Sequence, residues 1–100
     1  MPKLYDYFGL EVLFYSNEHL PIHVHGKCGN RFNKAEMIIL NGVVVDIEFG
    51  TERGKPPLKP AEFSHFQQFV RLKASDIVQK WDDYFNNGMK IKTEIITIRL

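Results

Sequence analysis

The chain has 100 residues, of which 44% are hydrophobic and 25% charged, and its formal net charge is +1. These values fit one globular domain spanning residues 1–100, and the near-neutral charge argues against the broad basic face that binding to duplex DNA requires. The single cysteine, Cys28, excludes an internal disulfide and a cysteine-rich zinc motif.

The sequence pattern predicts β-strands in the first half of the chain. Apolar residues at alternate positions predict a strand over residues 8–16: Phe8, Leu10, Val12 and Phe14. After a turn over residues 16–21, a second strand begins at Ile22, and in it His23 and His25 project to the side opposite their apolar neighbours. We expect these two strands to form a first hairpin.

A second hairpin is predicted at Asn41-Gly42, because this pair tolerates the positive φ angles of a two-residue turn. The turn would pair Leu40 with Val43, Ile38 with Val45 and Glu36 with Ile47. One face of the hairpin would then be entirely apolar and meet the core, with Ile38, Leu40, Val43, Val45, Ile47 and Phe49.

The sequence pattern predicts helices in the second half of the chain, followed by a C-terminal strand. A proline-rich connector over residues 53–60 precedes one helix around residues 63–70. A second helix is predicted to start near Ser75 and to stop at Asn87-Gly88. A strand is predicted over residues 91–100. The fold class is therefore α+β. We expect an antiparallel sheet of about five strands, made of two N-terminal hairpins and the C-terminal strand, with one face covered by two helices.

The candidate site is the segment "EHLPIHVH" at residues 18–25, which contains His19, His23 and His25. In one hypothesis the three imidazoles bind a divalent metal, although nothing in the sequence requires one. In another, His23 and His25 are acid and base catalysts on an RNA phosphodiester, with His19 and Glu18 as further catalytic candidates. In the third, the imidazoles only bond carboxylates and carbonyls at a sheet edge.

Basic residues follow the histidines closely. Lys27 and Arg31, together with Lys34, form a short run that could hold an anion beside the site or could be a solvated loop. Cys28 falls on the strand side opposite His23 and His25, which favours a small apolar residue over a metal ligand.

The segment resembles the signature of a bacterial family, the domain of unknown function four-one-six-zero. The family pattern is acidic-His-x-Pro-Pro-His-x-His, and here Ile22 replaces the second proline. Pro2, the pair Phe8-Gly9 and Trp81 extend the similarity over most of the chain to about residue 91. The resemblance marks His19, Pro21, His23 and His25 without assigning them roles. It also implies a small protein partner encoded by a neighbouring gene and a suggested place in toxin–antitoxin pairs.

We therefore expect a cytoplasmic toxin–antitoxin component that acts on RNA through the histidine cluster. The alternatives are a non-catalytic module that binds a protein through its open sheet face or an edge strand, and a metal-dependent hydrolase. The sequence does not decide between an enzyme and a binding protein. No membrane association is expected, because no apolar run approaches the roughly 20 residues of a spanning helix.

Overall fold

The computed structural model describes residues 2–16 and 18–99. One sheet of six strands packs against one long helix. The elements are β1 Lys3–Tyr7, β2 Leu10–Leu13, β3 His23–Cys28, β4 Arg31–Leu40, β5 Val43–Thr51, α1 Pro60–Trp81 and β6 Glu94–Ile96. The strand order is β5-β4-β3-β2-β1-β6, and every pair is antiparallel except β1 with β6. The α+β class is confirmed.

The N-terminal region contains a hairpin that the sequence pattern concealed. Phe8 and Gly9 form the turn between β1 and β2, with φ angles of 49° and 88°. The predicted strand over residues 8–16 is therefore wrong at its start, because the apolar alternation runs unbroken through the turn. The predicted C-terminal strand is also shorter than expected, since only Glu94–Ile96 pairs, in parallel with β1.

The hairpin at Asn41-Gly42 is confirmed, with φ angles of 52° and 78°, and Leu40 pairs with Val43. Beyond that pair the predicted register is wrong, because a bulge lets Ile38 pair with Asp46. The predicted inward face is therefore right only in part. Ile47 and Phe49 pack against the core as predicted, but Val44 does so in place of Val43 and Val45, and the exposed apolar residues of the hairpin are Ile39, Leu40, Val43 and Val45.

A single helix replaces the two that the sequence predicted. It begins at Pro60, where the Glu62 carboxylate accepts a hydrogen bond of 2.9 Å from the Lys59 backbone N–H. It continues through Ser75 without a break, because residues 61–81 contain no glycine or proline. A π-helical turn over Asp82–Asn86 extends it. No helix among the described residues is long and apolar enough to cross a membrane.

The core lies between α1 and the inner side of the sheet. Its fully buried residues include Leu4, Tyr5, Val12, Phe14, Val24, Phe66, Phe69, Val70 and Ile77. The helix approaches β3 at Gly26, where an added Cβ would lie 2.6 Å from the Phe66 ring. Val24 and Gly26 therefore face the core, and strand alternation sends His23 and His25 to the other side of β3.

Candidate metal centre

His23 and His25 converge on Glu18, which lies in the loop before β3. The Nε2 atom of His25 is 2.5 Å from Glu18 Oε1, and the Nε2 atom of His23 contacts Glu18 Oε2. The two imidazole centroids are 5.2 Å apart. One ligand atom from each of the three residues lies within 4.8 Å of the other two, so a single ion could contact all three.

The opposite nitrogen of each imidazole is held by the protein. His23 Nδ1 is 2.8 Å from the carbonyl oxygen of Pro21, and His25 Nδ1 contacts the Glu52 carboxylate. A carbonyl oxygen only accepts hydrogen bonds, and so does an ionised carboxylate, so each Nδ1 is the donor. In the neutral tautomer of both rings, Nε2 then carries the lone pair.

These tautomers make the centre selective for a cation. Two imidazole lone pairs and a carboxylate repel one another unless positive charge lies between them. That charge can come from a proton on each ring or from one divalent ion that all three residues share. A carboxylate or carbonyl behind each metal-binding histidine is also the usual support for such ligands, because it fixes the ring and raises its basicity.

Tyr15 and Lys55 complete the support for His25. The Tyr15 ring stacks on the imidazole at 3.7 Å with an interplanar angle of 14°, and its hydroxyl donates to Glu52 at 2.6 Å. Lys55 Nζ donates to the same hydroxyl at 3.1 Å. Burial, together with the hydrogen bond to Glu52, raises the pKa of Tyr15, so the hydroxyl stays protonated and keeps donating.

The centre opens into a cleft of about 570 Å³. The side chains of His25 and Glu18 are 5% and 8% exposed, whereas that of His23 is 19% exposed, so solvent reaches the centre mainly beside His23. Besides the three converging residues, the cleft is lined by Tyr15, His19, Leu20, Pro21, Lys34, Glu36, Glu52, Arg53 and Lys55. Its volume is in the range of small-molecule sites.

The structure brings together some of the predicted site residues and separates others. His23, His25 and Glu18 converge, while His19 is exposed at the cleft wall and is not among the three residues that can share an ion. Lys27 and Arg31 do not line the cleft. Lys27 Nζ lies 5.7 Å from the Phe32 ring centroid, and Arg31 donates to the Pro57 carbonyl at 3.0 Å.

Glu52 is the site residue that the sequence reasoning missed. It follows β5 directly and reaches His25 only because β4 pairs with β3 on one side and β5 on the other. The short Gly29-Asn30 turn between β3 and β4 was the signal that could have placed these strands together. Cys28 packs partly against the core, and burial raises the pKa of its thiol to about 11.

The fold and the site define a small α+β domain with a carboxylate and two histidines on one side of a central strand. The family model Domain of unknown function (DUF4160) matches residues 9–82, and the chain belongs to this family. The matched range contains the three converging residues, Glu52 and all of α1, and it leaves out β1 and β6. The comparison with curated proteins and the comparison with solved structures each found no match.

Proposed function

We propose that the protein binds one divalent transition-metal ion through His23, His25 and Glu18 and uses it for hydrolysis. The observation that carries this proposal is the convergence of two Nε2 atoms on one carboxylate while both Nδ1 atoms are held by the protein. Two histidines and a carboxylate leave coordination positions for water and substrate, as in hydrolytic zinc sites. Such an ion supplies an activated water and polarises the bond under attack.

The chain offers a proton acceptor beside this centre. Glu36 lies directly opposite His23 in the register of β3 and β4 and lines the cleft. Its side chain forms no ion pair or hydrogen bond with the residues that the structure describes. We assign Glu36 the role of general base for the attacking water and Glu52 the role of positioning His25.

A metal-free reaction of His23 and His25 on RNA is less favoured by this arrangement. Both nitrogens of His25 already contact carboxylates. The Glu18 carboxylate also contacts both imidazoles, and it would repel a phosphodiester at that point unless a cation lay between them. The toxin–antitoxin hypothesis then becomes a specific version of the metal-dependent proposal, in which the hydrolysed bond belongs to cellular RNA.

Metal titration tests the proposal. The chelator-stripped chain should take up one zinc ion per molecule, and His23→Ala, His25→Ala or Glu18→Ala should abolish stoichiometric uptake because each removes a ligand. His19→Ala and His65→Ala are matched controls and should bind zinc normally, since both side chains are exposed and lie outside the converging set. Loss of uptake in His19→Ala, or its retention in His23→Ala, would contradict the proposed ligands.

The toxin version has a separate test. Expression of the wild-type chain should arrest growth and degrade cellular RNA, and His23→Ala should relieve both effects while the circular dichroism spectrum stays native. Unchanged toxicity in the His23→Ala/His25→Ala double variant would rule out a toxic activity of this centre.

A second candidate function is protein binding at the tip of the β4–β5 hairpin. Leu40, Val43 and Val45 are 62%, 61% and 56% exposed there, and β5 is an edge strand with unpaired backbone groups. A small partner encoded by a neighbouring gene could add a strand to β5. Such a complex, isolated from native lysate, should survive the histidine substitutions and be lost in Val43→Lys; the opposite pattern would refute this candidate.

A further inference from the structure

Two cationic residues of the cleft form no hydrogen bond or ion pair with the part of the chain that the structure describes. Lys34 lies directly opposite His25 on β4, and Arg53 follows Glu52 in the chain. Both side chains are exposed, and neither forms a hydrogen bond or ion pair within residues 2–16 and 18–99. Lys55 differs, because its ammonium group already contacts Tyr15 and Glu52. Lys34 and Arg53 are therefore available to a bound molecule.

The charge of the cleft depends on the ion. Three carboxylates and three cationic side chains line it, namely Glu18, Glu36, Glu52, Lys34, Arg53 and Lys55. These charges balance formally, so a divalent ion between neutral histidines leaves a net excess of two positive charges. A bound ion is often the largest local charge in a site, and here it would convert a neutral cleft into one that attracts anions.

We infer that the substrate carries a phosphate group, which the ion, Lys34 and Arg53 hold together. This inference rests on the proposed metal centre and names the substrate class for it. A phosphate group places its charged oxygens at corners of a tetrahedron, so a metal ion, an ammonium and a guanidinium can approach it from different sides, whereas the two oxygens of a carboxylate lie in one plane. The cleft volume of about 570 Å³ leaves room for an organic group attached to the phosphate.

The proposed anion site does not include Lys27 and Arg31, the residues that the sequence suggested. Lys27 and Arg31 lie outside the cleft lining, Lys27 against the Phe32 ring and Arg31 on the Pro57 carbonyl. They carry the same charges as Lys34 and Arg53 and belong to the same domain. This makes them matched controls, because their removal changes the net charge of the protein equally without touching the cleft.

Calorimetric titration of the zinc-loaded full chain tests the inference. Phenyl phosphate is the monoester probe, diphenyl phosphate the diester probe and benzoate the carboxylate control. At least one phosphate probe should bind once per chain, and Lys34→Gln or Arg53→Gln should weaken that binding by about tenfold or more, the usual effect of losing a hydrogen bond to a charged group. Lys27→Gln and Arg31→Gln should change the affinity less than about twofold, and chelator-stripped protein should bind at least about tenfold more weakly.

The outcomes separate the inference from the function on which it rests. Preference for the monoester indicates a terminal phosphate, preference for the diester indicates a phosphodiester backbone, and either result supports the inference. Benzoate binding as tight as phosphate binding, equal binding without zinc, or no effect of Lys34→Gln and Arg53→Gln would overturn it. Zinc uptake is measured for each variant in parallel. If the chain takes up zinc normally but fails the phosphate-binding tests, the substrate inference is wrong and the metal centre is still supported. If the wild-type chain takes up no zinc, the proposed function is refuted.

Discussion

Glu52 lies behind His25 and does not reach the proposed ion, yet it fixes the imidazole that does. Its carboxylate accepts from His25 Nδ1 on one side and from the Tyr15 hydroxyl on the other. We expect Glu52→Ala to lower zinc affinity by about 10- to 100-fold, because the His25 ring loses the partner that fixes its orientation. Glu48→Ala is the matched control, since Glu48 is an exposed carboxylate on β5, the strand that precedes Glu52. Competition with a fluorescent chelator measures both, and equal affinities would contradict this role.

For single residues of the site, the sequence predicted correctly those positions that depend on local backbone geometry. The common side of His23 and His25 follows from the two-residue period of a strand, and Glu18 is close to them in the chain. The exposed position of His19 depends on the path of the loop, which residue types alone do not determine. Glu52 lies 27 positions from His25, and only the order of strands brings the two together.

Among the elements, α1 and β3 approach each other closely at Gly26. A Cβ on Gly26 would lie 2.6 Å to 2.9 Å from three atoms of the Phe66 ring. We expect Gly26→Ala to lower the free energy of unfolding by about 1–3 kcal/mol, the usual cost of overpacking. Gly50→Ala is the control and should cost less, because its Cβ would lie 3.6 Å from the flexible Lys34 side chain. Urea denaturation compares them, and equal losses would contradict the close helix approach.

The elements also show where sequence patterns fail. Asn41-Gly42 identified its turn correctly, but the bulge that follows depends on how β5 fits the core and not on the turn residues. Phe8 adopts a positive φ, which a bulky residue rarely does, so Gly9 alone indicated the first turn, within an unbroken apolar alternation. Ser75 suggested a helix start, yet it lies within α1, because packing of Val70 and Ile77 on one core favours a continuous helix.

For the whole molecule, Tyr5 joins the sheet to the helix. It is fully buried on β1, and its hydroxyl donates to the Asp76 carboxylate on α1. Burial, together with this hydrogen bond, raises the pKa of Tyr5 above its ordinary value. The unfolded chain therefore loses the proton first, so the stabilising contribution is complete below about pH 10 and is lost as the pH rises toward the folded-state pKa.

This linkage predicts a steep alkaline loss of stability. Each tyrosine whose pKa is raised in the folded chain should lower the free energy of unfolding by about 1.4 kcal/mol per pH unit above about pH 10. Tyr5→Phe should remove the contribution of Tyr5 to this slope. Urea denaturation at several pH values between about 9 and 11 measures the slope, in a range set by the ordinary tyrosine pKa. An unchanged slope in Tyr5→Phe would show that Tyr5 ionises equally in the folded and unfolded chain.

The α+β class could be predicted because strand patterns precede helical patterns in the sequence. The order of strands in the sheet could not, because β1 and β6 pair across almost the full length of the chain.

The proposed function depends on a zinc ion bound by His23, His25 and Glu18. X-ray absorption spectroscopy of the zinc-loaded chain tests it most directly: the account predicts two imidazole nitrogens at about 2.0–2.1 Å with oxygen ligands completing the shell. A zinc ion without imidazole scattering, or the same spectrum from His23→Ala and His25→Ala, would contradict it.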